Sequence, residues 1–126
     1  MLISATVVGI FEAKYRKKQP LTITGDGEQR RDFIHVSDVA HALYLISQVE
    51  KPDARIYDVG TGANYSINEL AAMFRGAKVE YISARIGEAR TTLCKNWEAM
   101  HGLNWHPVED LKRYVDNFCD TVAEQS

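Results

Sequence analysis

Hydrophobic residues recur every three or four positions in five stretches of the chain and alternate with polar residues in the stretches between them. The first spacing is typical of helices that bury one face, and the alternation is typical of short strands. The pattern predicts helices over 6–18, 37–49, 66–74, 96–103 and 111–122, and strands over 21–24, 31–36, 55–59 and 78–82. It therefore predicts one small α/β domain over residues 1–126.

Capping residues support the predicted helix ends. Ser66 and Glu69 have the spacing of a capping box, and Ser37 is predicted to cap the helix over 37–49. That helix has a broad apolar face, which we expect to lie under other elements. The face consists of Val39, Ala42, Leu43, Ile46 and Val49.

The composition of the chain argues against several classes of protein. With 45% hydrophobic and 25% charged residues and a net charge of -2, the chain does not resemble a disordered tail, a nucleic-acid clamp or a membrane-surface helix. The apolar stretch within residues 1–11 is too short for a bilayer and lacks the pattern of a secretion leader. Two distant cysteines, Cys94 and Cys119, fit a reducing compartment, so a cytoplasmic location is predicted.

Arginines lie beside two glycine-containing turns. Arg30 and Arg31 come after Gly25-Asp26-Gly27, while Arg85 and Arg90 flank a second turn. A guanidinium group can hold two phosphate oxygens with parallel hydrogen bonds, although loop arginines are more often solvated surface charges. Glu88 could accept hydrogen bonds from two ribose hydroxyls or pair with Arg90.

Other candidate motifs lack the residues that chemistry would need. Gly60-Thr61-Gly62 has neither the third glycine of a dinucleotide fingerprint nor the lysine of a P-loop, so it is interpreted as a plain turn. His35 is interpreted as a packed histidine. His101 and His106 have no third ligand at metal-site spacing, so no metal site is predicted.

The segment over 20–40, PLTITGDGEQRRDFIHVSDVA, strongly resembles the nucleotide-sugar epimerases and dehydratases. These are the extended short-chain dehydrogenases typified by UDP-glucose 4-epimerase. Four further segments resemble family motifs in the same order: YDVGTG at 57–62, SINELA at 66–71, RIGEAR at 85–90 and LNWHP at 103–107. The resemblance covers nearly the whole chain and implies the C-terminal portion of such an enzyme.

The resemblance implies a site for a nucleotide-diphosphate sugar and a role in carbohydrate metabolism. By analogy, Arg31 and Arg85 would hold the diphosphate and Glu88 the ribose hydroxyls. The strand formed by Leu21, Thr22, Ile23 and Thr24 would flank the nucleobase. Thr24 stands where the family often has an aromatic residue. Asn104 replaces a glycine of the tryptophan turn, and asparagine tolerates the left-handed geometry that such a turn requires.

The family implies NAD(P), yet the sequence lacks the motifs that bind and use it. It has no Gly-x-x-Gly-x-x-Gly, and the tyrosine beside its basic cluster, Tyr15, is followed at the fourth position by Gln19 instead of lysine. No catalytic residue and no cofactor are therefore assigned to this chain alone. The Rossmann NAD-binding domain is absent from it and is expected to precede Met1.

Three interpretations remain open. The chain is the nucleotide-sugar-binding portion of an NAD-dependent epimerase or dehydratase, inactive without a Rossmann-domain chain. Alternatively, it is an independent non-catalytic binding module, or a truncated interaction protein with a decayed pocket. A homo-oligomer is predicted through an apolar N-terminal surface formed by Met1, Leu2, Ile3, Val7, Val8 and Ile10.

Overall fold

The fold combines four helices and four short strands within the described part of the chain. The computed structural model describes residues 6–50, 57, 59–84, 91 and 102–125. The helices are α1 (Val7–Arg16), α2 (Val36–Ser47), α3 (Ile67–Met73) and α4 (Leu111–Glu124), and the strands are β1 (Leu21–Thr24), β2 (Arg30–Arg31), β3 (Tyr65–Ser66) and β4 (Val79–Ile82). The predicted mixture of helices and strands is confirmed.

The strands form two small ladders. β1 pairs with β4 in parallel, so that Thr24 lies opposite Ile82 at the carboxyl end. β2 pairs with β3 antiparallel over two residues, with Arg31 opposite Tyr65. A glycine turn leaves the carboxyl end of β1 and leads into β2, which brings the two ladders close together.

The main core lies between α1, β1, α3 and α4. Phe74 is at its centre, with ring centroids 5.9 Å from Phe11 and 6.0 Å from Phe118 in edge-to-face arrangements. The alternation along β1 places Leu21 and Ile23 fully inside this core.

A second cluster joins α2 to the tryptophan turn. Buried Trp105 donates its indole N–H to the backbone oxygen of Asp38, at 3.0 Å. The buried Asp38 carboxylate accepts from the backbone N–H groups of Val108 and Glu109, each at 3.0 Å. Asn104 has a φ of 57°, so the prediction of left-handed geometry there is confirmed.

Helix ends are formed by short-range capping contacts. The predicted capping box is confirmed: the Ser66 side chain accepts from the Glu69 N–H, and the Glu69 carboxylate accepts from the Ser66 N–H. Thr6 caps α1, whose last turn carries Lys14 and Arg16 beside the negative end of the helix dipole.

The predicted strand over 31–36 is wrong beyond Arg31. β2 ends there, and α2 begins at Val36. The predicted cap at Ser37 is also wrong, because His35 is the capping residue and its Nδ1 accepts from the Ser37 N–H at 3.0 Å. Phe33, Ile34 and His35 have the alternation of a strand, and this alternation led to the wrong prediction. The segment pairs with no other strand among the described residues.

The apolar face predicted for α2 is only partly buried. Ala42 is inside the second cluster, but Leu43 is 62% exposed and its neighbour Tyr44 is 61% exposed. α2 therefore exposes apolar side chains on its outer face. The prediction that other elements cover Leu43 is wrong.

Two predicted elements fall largely outside the described residues, namely the strand over 55–59 and the helix over 96–103. Within the described ranges, no helix is both long and apolar enough to cross a bilayer.

Candidate functional site

A cavity of about 390 Å³ opens at the carboxyl end of β1, and we call it the Arg31 cavity. Its walls come from five elements, α1, β1, β2, α3 and β4, and from the connections before and after β2. They include Thr22 and Thr24 of β1, Arg31 of β2, Ile82 of β4, Thr6 and Val7 at the start of α1, and Gln29. The cavity therefore gathers residues that lie far apart in the sequence.

The two neighbouring arginines have different environments. Arg30 donates from Nε to the side chain of Asn64 at 2.9 Å, from Nη2 to the Asn64 backbone oxygen at 3.0 Å and from Nη1 to Glu69 at 2.7 Å. Arg31 lines the cavity and donates from Nη1 to the backbone oxygen of Arg30 at 2.8 Å. Arg30 thus fastens β2 to the start of α3, while Arg31 brings a positive charge to the cavity.

Asp32, which directly follows Arg31, is hydrogen-bonded to the turn over 60–62. Its carboxylate accepts from the Thr61 N–H at 2.9 Å and hydroxyl at 2.6 Å, and from the Gly62 N–H at 3.1 Å. The turn over 60–62, interpreted from the sequence as a plain turn, is therefore a cradle for a carboxylate of the same chain. Its N–H groups are occupied by Asp32, which does not fit a role in binding a dinucleotide.

Asn68, in the first turn of α3, fixes the glycine turn between β1 and β2. Its Nδ2 donates to the Asp26 backbone oxygen at 3.0 Å, and its Oδ1 accepts from the Tyr81 hydroxyl at 2.8 Å. Gly27 has a φ of 76°, and a Cβ added there would fall 2.1 Å from the Asn68 Oδ1. Glycine is required at this position both by the backbone angle and by the close approach of Asn68.

The predicted site residues divide into three groups. Thr22, Thr24 and Arg31 line the cavity together. The side chains of Leu21 and Ile23 face the core, so a ligand in the cavity would not touch them. Arg85 and Glu88 lie outside the described residues. Sequence reasoning assigned no site role to Thr6, Gln29 and Asp32, although Gln29 and Asp32 lie inside the segment over 20–40 that resembles the family.

The electrostatics of the cavity favour an anion. Val7, the first residue of α1, lies in its wall, and the N-terminal end of a helix carries partial positive charge. The Arg31 guanidinium adds a full positive charge. The opposing carboxylate of Asp32 is neutralised in part by three hydrogen-bond donors from the turn over 60–62. Phosphate oxygens are the groups that such an arrangement binds best.

The polar side chains in the described wall of the cavity are those of threonine, glutamine, arginine and aspartate. This wall contains no histidine or cysteine, and the described residues hold no cluster of three His, Cys, Asp or Glu side chains suited to a metal ion.

A second cavity, of about 430 Å³, shares the lining residues Thr6, Asp32 and Phe33 with the Arg31 cavity. Tyr114 and Glu12 line it, and the Tyr114 hydroxyl lies 3.3 Å from both carboxylate oxygens of Glu12. Burial raises the pKa of Tyr114, and the negative charge of Glu12 raises it further. The His35 ring meets the Tyr114 ring edge to face at 5.5 Å, which places His35 in a packed role as predicted.

Comparison with known proteins gives consistent matches. The model of the NAD-dependent epimerase/dehydratase family matches residues 3–60. The chain is 37% identical to a putative UDP-glucose 4-epimerase from Methanocaldococcus jannaschii, over 88% of this chain and 37% of the relative. It is also similar to the X-ray structure of Pal from Bacillus thuringiensis, with 30% identity and a TM-score of 0.84, over 96% of this chain and 40% of that protein.

A further solved structure is that of UDP-glucose 4-epimerase from Thermotoga maritima with UDP-glucose. This chain is 27% identical to it with a TM-score of 0.79, over 95% of this chain and 40% of that protein. The chain spans about a third of the length of the curated relatives it matches.

Proposed function

Because this chain belongs to the NAD-dependent epimerase/dehydratase family, we propose that it binds the diphosphate of a nucleotide sugar in the Arg31 cavity. The observation that carries the proposal is the position of the Arg31 guanidinium, which shares one cavity with the N-terminal end of α1. Two independent sources of positive charge thus face the same space.

Each part of the cavity has a role in this proposal. Arg31 pairs with the diphosphate as a planar donor, and the start of α1 contributes the partial charge of its dipole. The half-buried side chains of Thr22 and Thr24 form the wall beside the nucleobase. The predicted contributions of Arg85 to the diphosphate and of Glu88 to the ribose complete the proposed site.

We further propose that the chain does not catalyse hydride transfer alone. The sequence holds no Tyr-x-x-x-Lys, and the turn over 60–62 uses its N–H groups for Asp32. A nicotinamide must be oriented against the sugar for hydride transfer, and the given sequence holds no Gly-x-x-Gly-x-x-Gly to bind that cofactor. In this proposal, a Rossmann domain supplies NAD, and this chain supplies the C-terminal, nucleotide-sugar side of the site.

Titration of UDP, dTDP, CDP and GDP into the isotopically labelled chain tests the proposal. We expect signals of Arg31 to move, and Arg31→Ala to weaken binding by about tenfold or more, since charge-assisted hydrogen bonds are lost. Arg113→Ala is the matched control, because Arg113 is exposed on α4. Unchanged affinity in Arg31→Ala, or no binding of any nucleotide up to millimolar concentration, would contradict the proposal.

The same titration separates the two binding interpretations. Micromolar affinity of the lone chain would favour an independent binding module. Affinity that rises to that range only when a Rossmann-domain chain of the family is added would favour a two-chain enzyme. The cytoplasmic location and the homo-oligomer stay predictions, and the latter is tested by sedimentation at high concentration.

A further inference from the structure

Gln29 is a buried polar residue in the wall of the Arg31 cavity. It is only 5% exposed, although glutamine is a residue type usually found at the surface. Its backbone oxygen accepts from the Ile67 N–H at 3.1 Å, and its side-chain Nε2 donates to the Thr24 backbone oxygen at 3.0 Å. The side chain is therefore held against the end of β1.

These contacts fix which way the amide points. The Thr24 backbone oxygen is an acceptor, so the Gln29 atom next to it must be the nitrogen, and Oε1 must lie on the other side. Among the described residues, no donor reaches Oε1. No fully buried polar side-chain atom there lacks a partner. Oε1 must therefore be open to the cavity that Gln29 lines.

An open carbonyl oxygen in the cavity wall accepts a hydrogen bond from water in the empty cavity, and a ligand that displaces this water must supply a donor in its place. Oε1 repels phosphate oxygens, which instead have the Arg31 guanidinium and the start of α1. The part of a nucleotide next to Gln29 is thus a part that carries N–H or O–H groups. The contact of Gln29 with Thr24 places Oε1 at β1, the strand proposed to flank the nucleobase.

We propose that Gln29 Oε1 accepts a hydrogen bond from the ring N3–H of uracil or thymine and thereby selects these bases over cytosine. The inference rests on the proposed nucleotide-binding function of the cavity. Uracil and thymine carry a hydrogen on N3, whereas N3 of cytosine is an acceptor. Cytosine would bring two lone pairs together and leave Oε1 without a partner.

Calorimetric titration of the full chain with UDP, CDP and N3-methyl-UDP tests the inference directly. We expect UDP to bind about tenfold or more tightly than either of the others, because both lack the N3–H. dUDP separates the base from the ribose, since it keeps N3–H and lacks the 2′-hydroxyl. We expect dUDP to bind within about threefold of UDP.

Gln29→Met then tests the residue. It keeps the side-chain length and removes Oε1, so we expect the UDP to CDP affinity ratio to fall to about one. Gln19→Met is the matched control, because Gln19 is exposed beyond the end of α1. The comparison of ligands on the unsubstituted chain does not depend on whether the Gln29 variant folds.

Equal binding of UDP, CDP and N3-methyl-UDP would overturn the inference and leave the proposed function intact. A loss of affinity for dUDP, with none for CDP, would assign Oε1 to the ribose and overturn it as well. If no nucleotide binds, the proposed function fails, and this inference fails with it.

Discussion

The Thr61 hydroxyl lies 2.6 Å from Oδ1 of Asp32, 29 positions earlier in the chain. This hydrogen bond joins the turn over 60–62 to the residue that directly follows Arg31. Two backbone N–H groups of the same turn also donate to the carboxylate. The position of Arg31 in its cavity is therefore fixed from the side of Asp32 as well as by the ladder of β2 with β3.

We expect Thr61→Val to lower the free energy of unfolding by about 1–2 kcal/mol, because it leaves the half-buried Asp32 carboxylate with one donor fewer. Thr61→Ser keeps the hydroxyl and is the control. Urea denaturation measures both variants. Equal losses in the two variants would show that the methyl group, and not the hydrogen bond, is responsible.

Gly27→Ala is expected to destabilise the chain more than Gly76→Ala. Both glycines have positive φ, 76° and 75°, and alanine at such an angle costs about 1–2 kcal/mol. A Cβ at Gly76 meets nothing within 4 Å, whereas one at Gly27 collides with the Asn68 amide. We expect the collision to add about 1 kcal/mol or more, measured by urea denaturation.

The Asn68→Ala background isolates that collision. In this background, the additional cost of Gly27→Ala should fall to the cost of Gly76→Ala, because only the backbone strain remains. An undiminished cost would show that Asn68 is not the obstacle.

Asp38→Ala is expected to lower the unfolding free energy by about 2–4 kcal/mol, since the N–H groups of Val108 and Glu109 lose their acceptors. The tryptophan turn should loosen, and the emission of Trp105 should shift to the red. Trp97→Phe is used as background so that Trp105 is the sole tryptophan. Asp116→Ala, at the surface of α4, is the control and should leave the emission unchanged.

Alkaline pH is expected to destabilise the fold partly through Tyr114. Burial, followed by the charge of Glu12, raises the Tyr114 pKa above its ordinary value of 10.0. The folded chain thus holds this proton more tightly than the unfolded chain. The resulting stability is fully present below pH 10.0 and is lost as pH rises through the higher pKa of the folded state.

Tyr114→Phe should remove this part of the pH dependence, and Glu12→Gln should reduce it. Urea denaturation from about pH 7 to about pH 11, with tyrosinate absorbance as a parallel readout, measures the effect. Identical pH dependence in the unsubstituted chain and in Tyr114→Phe would contradict the assignment.

Elements with short-range signals were predictable from the sequence. The capping box of Ser66 and Glu69 and the strand Leu21–Thr24 depend on residues within a few positions of one another. The apolar spacing of α4 likewise predicts the face that Val115 and Phe118 bury. His35 shows the limit of such signals, since its Nδ1 replaces the expected cap at Ser37 and no spacing rule distinguishes the two.

The contacts between distant parts of the chain could not be predicted from spacing. Asp38 meets the Trp105 side chain across 67 positions, and the Tyr114 hydroxyl meets Glu12 across 102. Family resemblance singled out Arg31, whereas composition treats Arg30 and Arg31 alike. Gln29 was not predicted, because its importance follows from burial and from the direction of one amide.

Arg30 and Arg31 are chemically identical neighbours, so their side chains alone do not define the alignment of the β2–β3 ladder. A slip by one residue in one direction would place Arg31 where Arg30 now contacts Asn64 and Glu69, with a chemically identical side chain. Asp32 breaks that equivalence, since only one alignment brings its carboxylate to Thr61 and Gly62. The aspartate therefore determines which of the two arginines contacts Asn64 and Glu69 and which one lines the cavity.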